Sequence, residues 1–173
     1  MALVLSLIAL AAIGRYLPYV IPQLGNFTPV FAVALFGGAY IRDRKMALIV
    51  PMLAMVISDA LIGFHGLMWL VYGCMAITTW LGMGLTQHGA RSASPAQILG
   101  RVLAGSVLFF IASNFAVWAG GTMYPHTPGG LLQCFVAAVP FWRNELIGSL
   151  LWSGVLFGGY ALLQRRVGVA VAA

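Results

Sequence analysis

The stretch Ile41-Arg42-Asp43-Arg44-Lys45 is a short basic gap between two apolar segments of the chain. Two more basic gaps follow, one bracketed by Arg91 and Arg101 and one at Arg165 and Arg166, where the last apolar stretch ends. The gaps between them carry almost no positive charge. Because cationic loops of membrane proteins stay on the cytoplasmic side, this alternation predicts a polytopic membrane protein and its orientation.

The composition supports the same class. The chain has 173 residues, of which 62% are hydrophobic and 7% are charged, whereas a soluble domain has about 25% charged residues. The net charge of +6 does not indicate nucleic-acid binding, because the basic residues lie at the ends of apolar segments, where they meet anionic lipid headgroups. We expect residues 1–173 to form one integral membrane domain that lies in the lipid bilayer and binds no nucleic acid.

Six segments have the character of membrane helices. A helix that spans the hydrocarbon needs about 20 residues. The predicted helices cover roughly 3–21, 27–41, 46–62, 67–86, 98–120 and 144–164. The first is expected to be retained rather than cleaved, because a signal peptide would carry a positive region at its start. With both termini cytoplasmic, seven of the nine Lys and Arg residues fall inside.

The segment between the fifth and sixth predicted helices is different. It contains a loop around Tyr124 and then the apolar run Leu131–Val139, followed by Pro140. That run is too short to span a bilayer. It predicts an interfacial or re-entrant helix on the outer side, ended by the proline.

Two pairs of small residues predict close helix packing. Ala34 and Gly38 are four residues apart, and so are Gly154 and Gly158. Such pairs are common in membrane bundles and give only weak support for a dimer.

The polar residues concentrate on the predicted outer side, where we look for a binding site. An acid at membrane depth is costly, so it is usually paired or functional. Asp59 could therefore form a structural pair with Arg15 or Arg143, or contact a ligand, whereas Arg143 could instead pair with Glu145. The nearby tryptophans and tyrosines are typical of an interfacial belt. The polar residues considered are Asn26, Asp59, His65, Asn114, Tyr124, His126, Arg143 and Glu145.

Two cysteines, Cys74 and Cys134, lie in apolar stretches without a CxxC or zinc spacing. A membrane cysteine is usually a small packing residue, and a disulfide between these two is not favoured. A cysteine thiolate can also be the one axial ligand that the protein provides to a metal ion, when a macrocycle supplies the other ligands.

Enzyme motifs are absent from the sequence: it has no GxSxG, HExxH or phosphate-binding loop, and only three acids. No run of charges inside the helices indicates a proton relay. We therefore do not expect an enzyme, a nucleotide-driven pump or a resident cofactor.

Several runs resemble a known family. They are Asn26-Phe27-Thr28-Pro29-Val30, Ala34-Leu35-Phe36-Gly37-Gly38-Ala39-Tyr40, Ile57-Ser58-Asp59, Gly63-Phe64-His65, Val71-Tyr72-Gly73-Cys74, Ser113-Asn114-Phe115 and Ala138-Val139-Pro140-Phe141. Together they resemble small bacterial membrane proteins related to the S-components of energy-coupling-factor (ECF) vitamin transporters. Within that group the chain is most similar to the BtuM-type solitary cobalamin transporters, over roughly residues 15–160.

The resemblance implies a six-helix S-component-like bundle in the bacterial inner membrane that imports vitamin B12 (cobalamin) or a related corrinoid from outside. It also implies a membrane cysteine that ligates the cobalt, and Cys74 matches that cysteine better than Cys134. Asp59, Tyr72 and Arg143 would be pocket residues, and Leu131–Val139 would help to cover the corrin ring. We expect His65, Asn114 and Tyr124 to complete the site. Cys74 would also displace cyanide from cyanocobalamin.

Alternatives to this reading remain. S-components that share an energising module resemble one another in an Ala-xxx-Ala pair on the first helix. The first predicted helix of this chain lacks such a pair, and its absence favours a solitary transporter. The alternatives are an S-component for another vitamin with a separate ATP-driven module, and a membrane scaffold that binds no ligand.

Overall fold

The computed structural model describes residues 2–85 and 93–171, and every regular element in these ranges is helical. The helices are α1 (Ala2–Val20), α2 (Val30–Tyr40), α3 (Arg44–Ile62), α4 (Met68–Met83), α5 (Pro95–Gly120) and α6 (Pro128–Val171), with a single 3-10 turn at Pro22–Leu24. The prediction of an all-α fold is confirmed, and a helix occurs in the position of each predicted segment.

Four of these helices are long and apolar enough to cross a membrane, namely α1, α3, α5 and α6. The other two are shorter. At 1.5 Å per residue, the 11 residues of α2 measure about 16 Å and the 16 residues of α4 about 24 Å. Large apolar side chains on the outside of the bundle, among them Leu5, Ile13, Trp80 and Leu163, are exposed, as expected of a membrane protein.

Local signals in the sequence account for where the helices begin. The carboxylate of Asp43 accepts hydrogen bonds from the backbone N–H groups of Lys45 (2.8 Å) and Met46 (3.3 Å) at the start of α3. Ser94 and Gln97 form a reciprocal capping box at the start of α5. Pro29 precedes the first residue of α2, so this helix begins three residues later than predicted.

The centre of the bundle is α2, which packs against each of the other five helices. Every residue from Val30 to Ala39 is buried. The closest approach is to α4, because a Cβ atom at Gly38 would overlap the carbonyl oxygen of Thr79, and one at Gly82 would overlap that of Leu35. The predicted close packing at Gly38 is thus confirmed.

The prediction for Leu131–Val139 is wrong. This run is the first part of the 44-residue helix α6, and Pro140 lies inside that helix rather than at its end. A proline interrupts one backbone hydrogen bond, which a membrane bundle tolerates when neighbouring helices support the chain. Here α5 contacts α6 on both sides of the proline, through the ring pairs of Phe110 with Phe135 and with Trp142.

The chain alternates between two ends of the bundle. The end that we call the basic end holds the α2–α3 connection, the start of α5 and Arg165, and there the side chain of Arg101 donates to the carbonyl of Leu81 (3.1 Å). The opposite end holds the α1–α2, α3–α4 and α5–α6 connections. Arg91 and residue 86, the predicted end of the fourth helix, lie outside the described residues.

Candidate functional site

An ion pair joins three helices near the opposite end. The guanidinium of Arg15 in α1 contacts the carboxylate of Asp59 in α3 and also donates to the hydroxyl of Ser58 (2.6 Å). The hydroxyl of Tyr72 in α4 donates to the second carboxylate oxygen of Asp59 (2.7 Å). Asp59 is completely buried, so the structure pairs it with Arg15 and not with Arg143.

A cavity of about 250 Å³, which we call the first cavity, lies beside this ion pair. Residues from all six helices and from the non-helical segment before α2, residues 25–29, contribute to its lining. The lining residues are Arg15, Pro18, Tyr19, Gly25, Asn26, Thr28, Val30, Phe31, Met55, His65, Val71, Met75, Phe109 and Glu145.

A second cavity of about 190 Å³ lies next to the first and shares three of its residues. The shared residues are Asn26, Phe109 and Glu145, and the rest of its lining comes from Phe110, Asn114, Ala138, Phe141 and Trp142. The rings of Phe110 and Trp142 stack with their centroids 4.9 Å apart. The two cavities therefore share a wall that includes a carboxylate and an amide.

The non-helical segment before α2 reaches deep into the bundle. A Cβ atom at Gly148 of α6 would lie 3.1 Å from the backbone nitrogen of Thr28 and 3.2 Å from the Cα atom of Phe27. Asn144, one turn earlier in α6, approaches Gly25. Non-helical backbone at membrane depth is tolerated where it is buried in protein or lines a polar cavity, and here it does both.

Glu145 is the second buried acid, with 4% of its surface exposed. Its carboxylate accepts hydrogen bonds from the hydroxyls of Ser106 in α5 and Ser149 in α6, the latter at 2.6 Å. The indole N–H of Trp142 donates to the hydroxyl of Ser106 (2.9 Å). Among the described residues, no cation pairs with this carboxylate.

The suggested pair of Arg143 with Glu145 does not form. Both residues lie within α6, and residues two apart on a helix point to different faces. Arg143 is exposed, whereas Glu145 is buried.

The predicted site residues fall into three groups. His65 lines the first cavity and Asn114 the second. Asp59 and Tyr72 hold Arg15, which lines the first cavity. The remaining three do not line either cavity: Arg143 is exposed, Tyr124 is half-buried in the α5–α6 loop and Cys74 is buried.

Both cysteines are free and buried. Cys74 has 5% of its surface exposed and belongs to the hydrophobic core. It lies on α4 between Val71 and Met75, which both line the first cavity. The thiol of Cys134 donates to the carbonyl of Asn114 (3.4 Å). No group of three or more His, Cys, Asp and Glu residues that could hold a metal ion occurs in the described part of the chain.

Arg15 and Glu145 line the first cavity, but the sequence reasoning considered them only as partners in possible ion pairs and not as site residues. Glu145 carried a usable signal, because it is one of only three acids and lies in an apolar stretch. The cost of an acid at membrane depth applies to it as it does to Asp59, but Arg143 two residues earlier offered a partner in sequence. Glu145 was missed because the predicted sixth helix began at residue 144, which placed it at a helix end instead of 17 residues into α6.

Comparison with known proteins identifies a family but no activity. No curated protein and no solved structure matches the chain. A family model described as a family of unknown function (DUF6580) matches residues 1–171. This match covers nearly the whole chain, and the chain therefore belongs to the family of unknown function DUF6580.

Proposed function

We propose that this chain is a membrane transporter that captures an organic solute from the side opposite the basic end, and that the solute is cobalamin or a related corrinoid. The observation that carries the transport proposal is the pair of adjoining cavities at the non-helical segment before α2. Binding sites of transporters lie where helices are interrupted at membrane depth and backbone and side-chain polar groups face a cavity.

The proposed topology is six spans in the bacterial inner membrane with both termini in the cytoplasm. The basic end, which bears Arg42, Arg44 and Lys45, then faces the cytoplasm, in line with the positive-inside rule. The short helix α2 crosses together with the segment before it, because α2 alone has about half of the required length of ~30 Å.

Cys74 is the proposed axial ligand of the corrinoid cobalt. It follows Val71 by three residues and precedes Met75 by one, so it neighbours the helix face that lines the first cavity. Its thiol is directed into the core in this structure, so ligation needs a rotation of α4 when the solute binds. A corrin ring is larger than the first cavity, so it would extend toward the α5–α6 loop.

The test is the visible absorption spectrum of detergent-purified protein after incubation with cobalamin and gel filtration. We expect a co-eluting chromophore with a shifted band that is lost in Cys74→Ala. The matched control is Cys134→Ala, which removes the other buried thiol and should leave the band unchanged. A colourless protein peak would overturn the corrinoid assignment, and an identical band in both variants would overturn thiolate ligation.

A second candidate is supported by the size of the site. The two cavities, of about 250 and 190 Å³, lie below the range of about 300–1,000 Å³ that holds drug-sized ligands. This favours a smaller vitamin, captured by the chain as an S-component with a separate ATP-driven module. Mass spectrometry of small molecules released from the purified protein would identify such a solute, and co-purification of an ATP-binding protein would identify the module.

A further inference from the structure

Glu145 is a buried acid with no cation beside it. Each oxygen of its carboxylate accepts one serine hydroxyl. The other two acids differ, because Asp59 is paired with Arg15 and Asp43 is an exposed helix cap. Ionisable groups at membrane depth without such a partner mark substrate pathways and proton relays.

The carboxylate lies well inside the apolar part of the bundle. Its partner Ser106 is 11 residues after the start of α5 and 14 before its end, or about 16 Å and 21 Å from the two ends. Glu145 also lines both the first and the second cavity. The group is therefore deep, yet reachable from the opposite end.

A stripe of hydroxyl groups continues from Glu145 toward the basic end. Ser149 and Ser153 follow at spacings of four residues, so the three side chains share one face of α6 over about 12 Å. Ser149 donates to Glu145 (2.6 Å). Ser153 is 2% exposed, and its hydroxyl has no hydrogen-bond partner.

Ser153 lines a further cavity of about 420 Å³, which we call the basic-end cavity. This cavity lies between α5 and α6, against Tyr40 of α2, and its lining reaches Arg165. A buried hydroxyl without a partner is costly, and a rotation of the Ser153 side chain toward the cavity would bring it into hydrogen-bond contact with water. The stripe thus separates two cavities that lead toward opposite ends of the bundle.

We propose that Glu145, Ser149 and Ser153 form a proton path between the first cavity and the basic-end cavity. A hydronium ion in the first cavity gives its proton to the carboxylate of Glu145 and leaves water. The resulting carboxylic acid passes a proton to Ser149. When the side chain of Ser153, which has no partner in this structure, turns into contact with Ser149, the proton continues through Ser153 to water in the basic-end cavity, and Glu145 returns to the carboxylate. The inference that this path drives solute uptake rests on the proposed transport function, whereas the inference that the path exists does not depend on it.

The ionisable side chains that line the first cavity together with Glu145 are Arg15, Tyr19 and His65. Arg15 is neutralised by Asp59. The residues that α2, α4 and α5 contribute to this cavity are not ionisable. His65 is the basic side chain of this lining that has no ion-pair partner among the described residues, so a His65 variant is included in the test.

The experiment uses the full chain reconstituted in vesicles that contain a pH-sensitive dye, with no solute added. A potassium gradient and valinomycin make the interior negative, and acidification is recorded. We expect proton entry above that of protein-free vesicles and a fall to that background in Glu145→Gln. In Ser153→Ala we expect a fall of roughly tenfold, because the hydrogen bond that Ser153 forms during proton transfer is lost. The control Ser113→Ala, whose hydroxyl bonds only the carbonyl of Phe109, should match the wild type, whereas His65→Gln reports whether His65 is the proton site instead of Glu145.

Wild-type flux at background, or full flux in a folded Glu145→Gln or Ser153→Ala variant, would overturn the path. Ser153→Ala removes a hydroxyl that has no partner, so this variant remains informative if Glu145→Gln fails to fold, as judged by gel filtration. Loss of flux in His65→Gln alone would move the proton site to that residue. Because no solute is present, the outcome is independent of whether the chain binds a corrinoid.

Discussion

Asp59 and Glu145 are both acids buried among apolar helices, but their surroundings give them different roles. Asp59 meets a guanidinium and a phenol hydroxyl from two other helices. Its charge is compensated, and it ties α1, α3 and α4 together. Glu145 meets only serine hydroxyls, which can either donate or accept a hydrogen bond. Its protonation state can change without breaking an ion pair.

Asp59→Asn should strongly destabilise the protein. The substitution leaves the guanidinium of Arg15, which is 17% exposed, without its counter-charge. Removing one partner of a buried pair costs on the order of 3–5 kcal/mol. Thermal unfolding in detergent, followed by tryptophan fluorescence, should show a clear drop in the melting temperature.

Two further variants test the cause of that drop. Asp43→Asn changes an exposed acid that caps α3, and asparagine caps equally well, so its melting temperature should match the wild type. Replacing both Arg15 and Asp59 by leucine should recover most of the lost stability, because a buried pair can be exchanged for apolar residues at little cost. A double variant as unstable as Asp59→Asn would argue against the ion pair as the cause.

At the scale of elements, the close contact between α2 and α4 positions the site. Gly38 lies against the carbonyl of Thr79, and Gly82 against that of Leu35. These contacts fix α4, which carries Tyr72, Val71 and Cys74, against the central helix. The small residues allow the backbones to approach, as is common in membrane bundles.

Gly38→Ala should destabilise the protein by separating these helices. The added methyl group would overlap a backbone carbonyl, which cannot move aside as a side chain can. Overpacking of this kind costs typically about 1–3 kcal/mol. Gly100→Ala in α5 is the matched control, because a Cβ atom there meets nothing within 4 Å. Equal melting temperatures for the two variants would contradict the close α2–α4 packing.

The second small-residue pair behaves differently. A Cβ atom at Gly154 or at Gly158 would meet nothing within 4 Å, and both glycines line the basic-end cavity. The spacing of this pair is the same as that of Ala34 and Gly38. Of the two pairs, however, only Ala34 and Gly38 pack against a neighbouring helix in the described chain. A pattern of small residues permits close packing without requiring it.

At the scale of the whole molecule, the proposed topology places Met123 and Arg42 on opposite sides of the membrane. Met123, in the α5–α6 loop, is 76% exposed, and Arg42 is exposed at the basic end. In whole cells with a permeable outer layer, a membrane-impermeant maleimide should label Met123→Cys at once and Arg42→Cys only after lysis. The native cysteines are buried and should react little. The reverse labelling order would overturn the orientation.

Much of the architecture could be predicted because membrane helices obey local rules. Apolar length decides which segments are helical, and the basic gaps indicate which connections share an end. The failure occurred at Leu131–Val139, where length and Pro140 together indicated a separate short helix. Contacts with α5 on both sides of the proline keep α6 continuous, and such contacts between distant segments have no local signal.

The sequence by itself determined the helical class, the apolar surface, the alternation of basic connections and the importance of Asp59. These follow from composition, spacing and the cost of a charge in an apolar surrounding. Only the tertiary structure decided that Arg15 is the partner of Asp59 and that Cys74 faces the core. It also decided that Glu145 and Ser153, at the two ends of one stripe, line different cavities. Helix rotation and register set these relations, and they depend on how all six helices pack together.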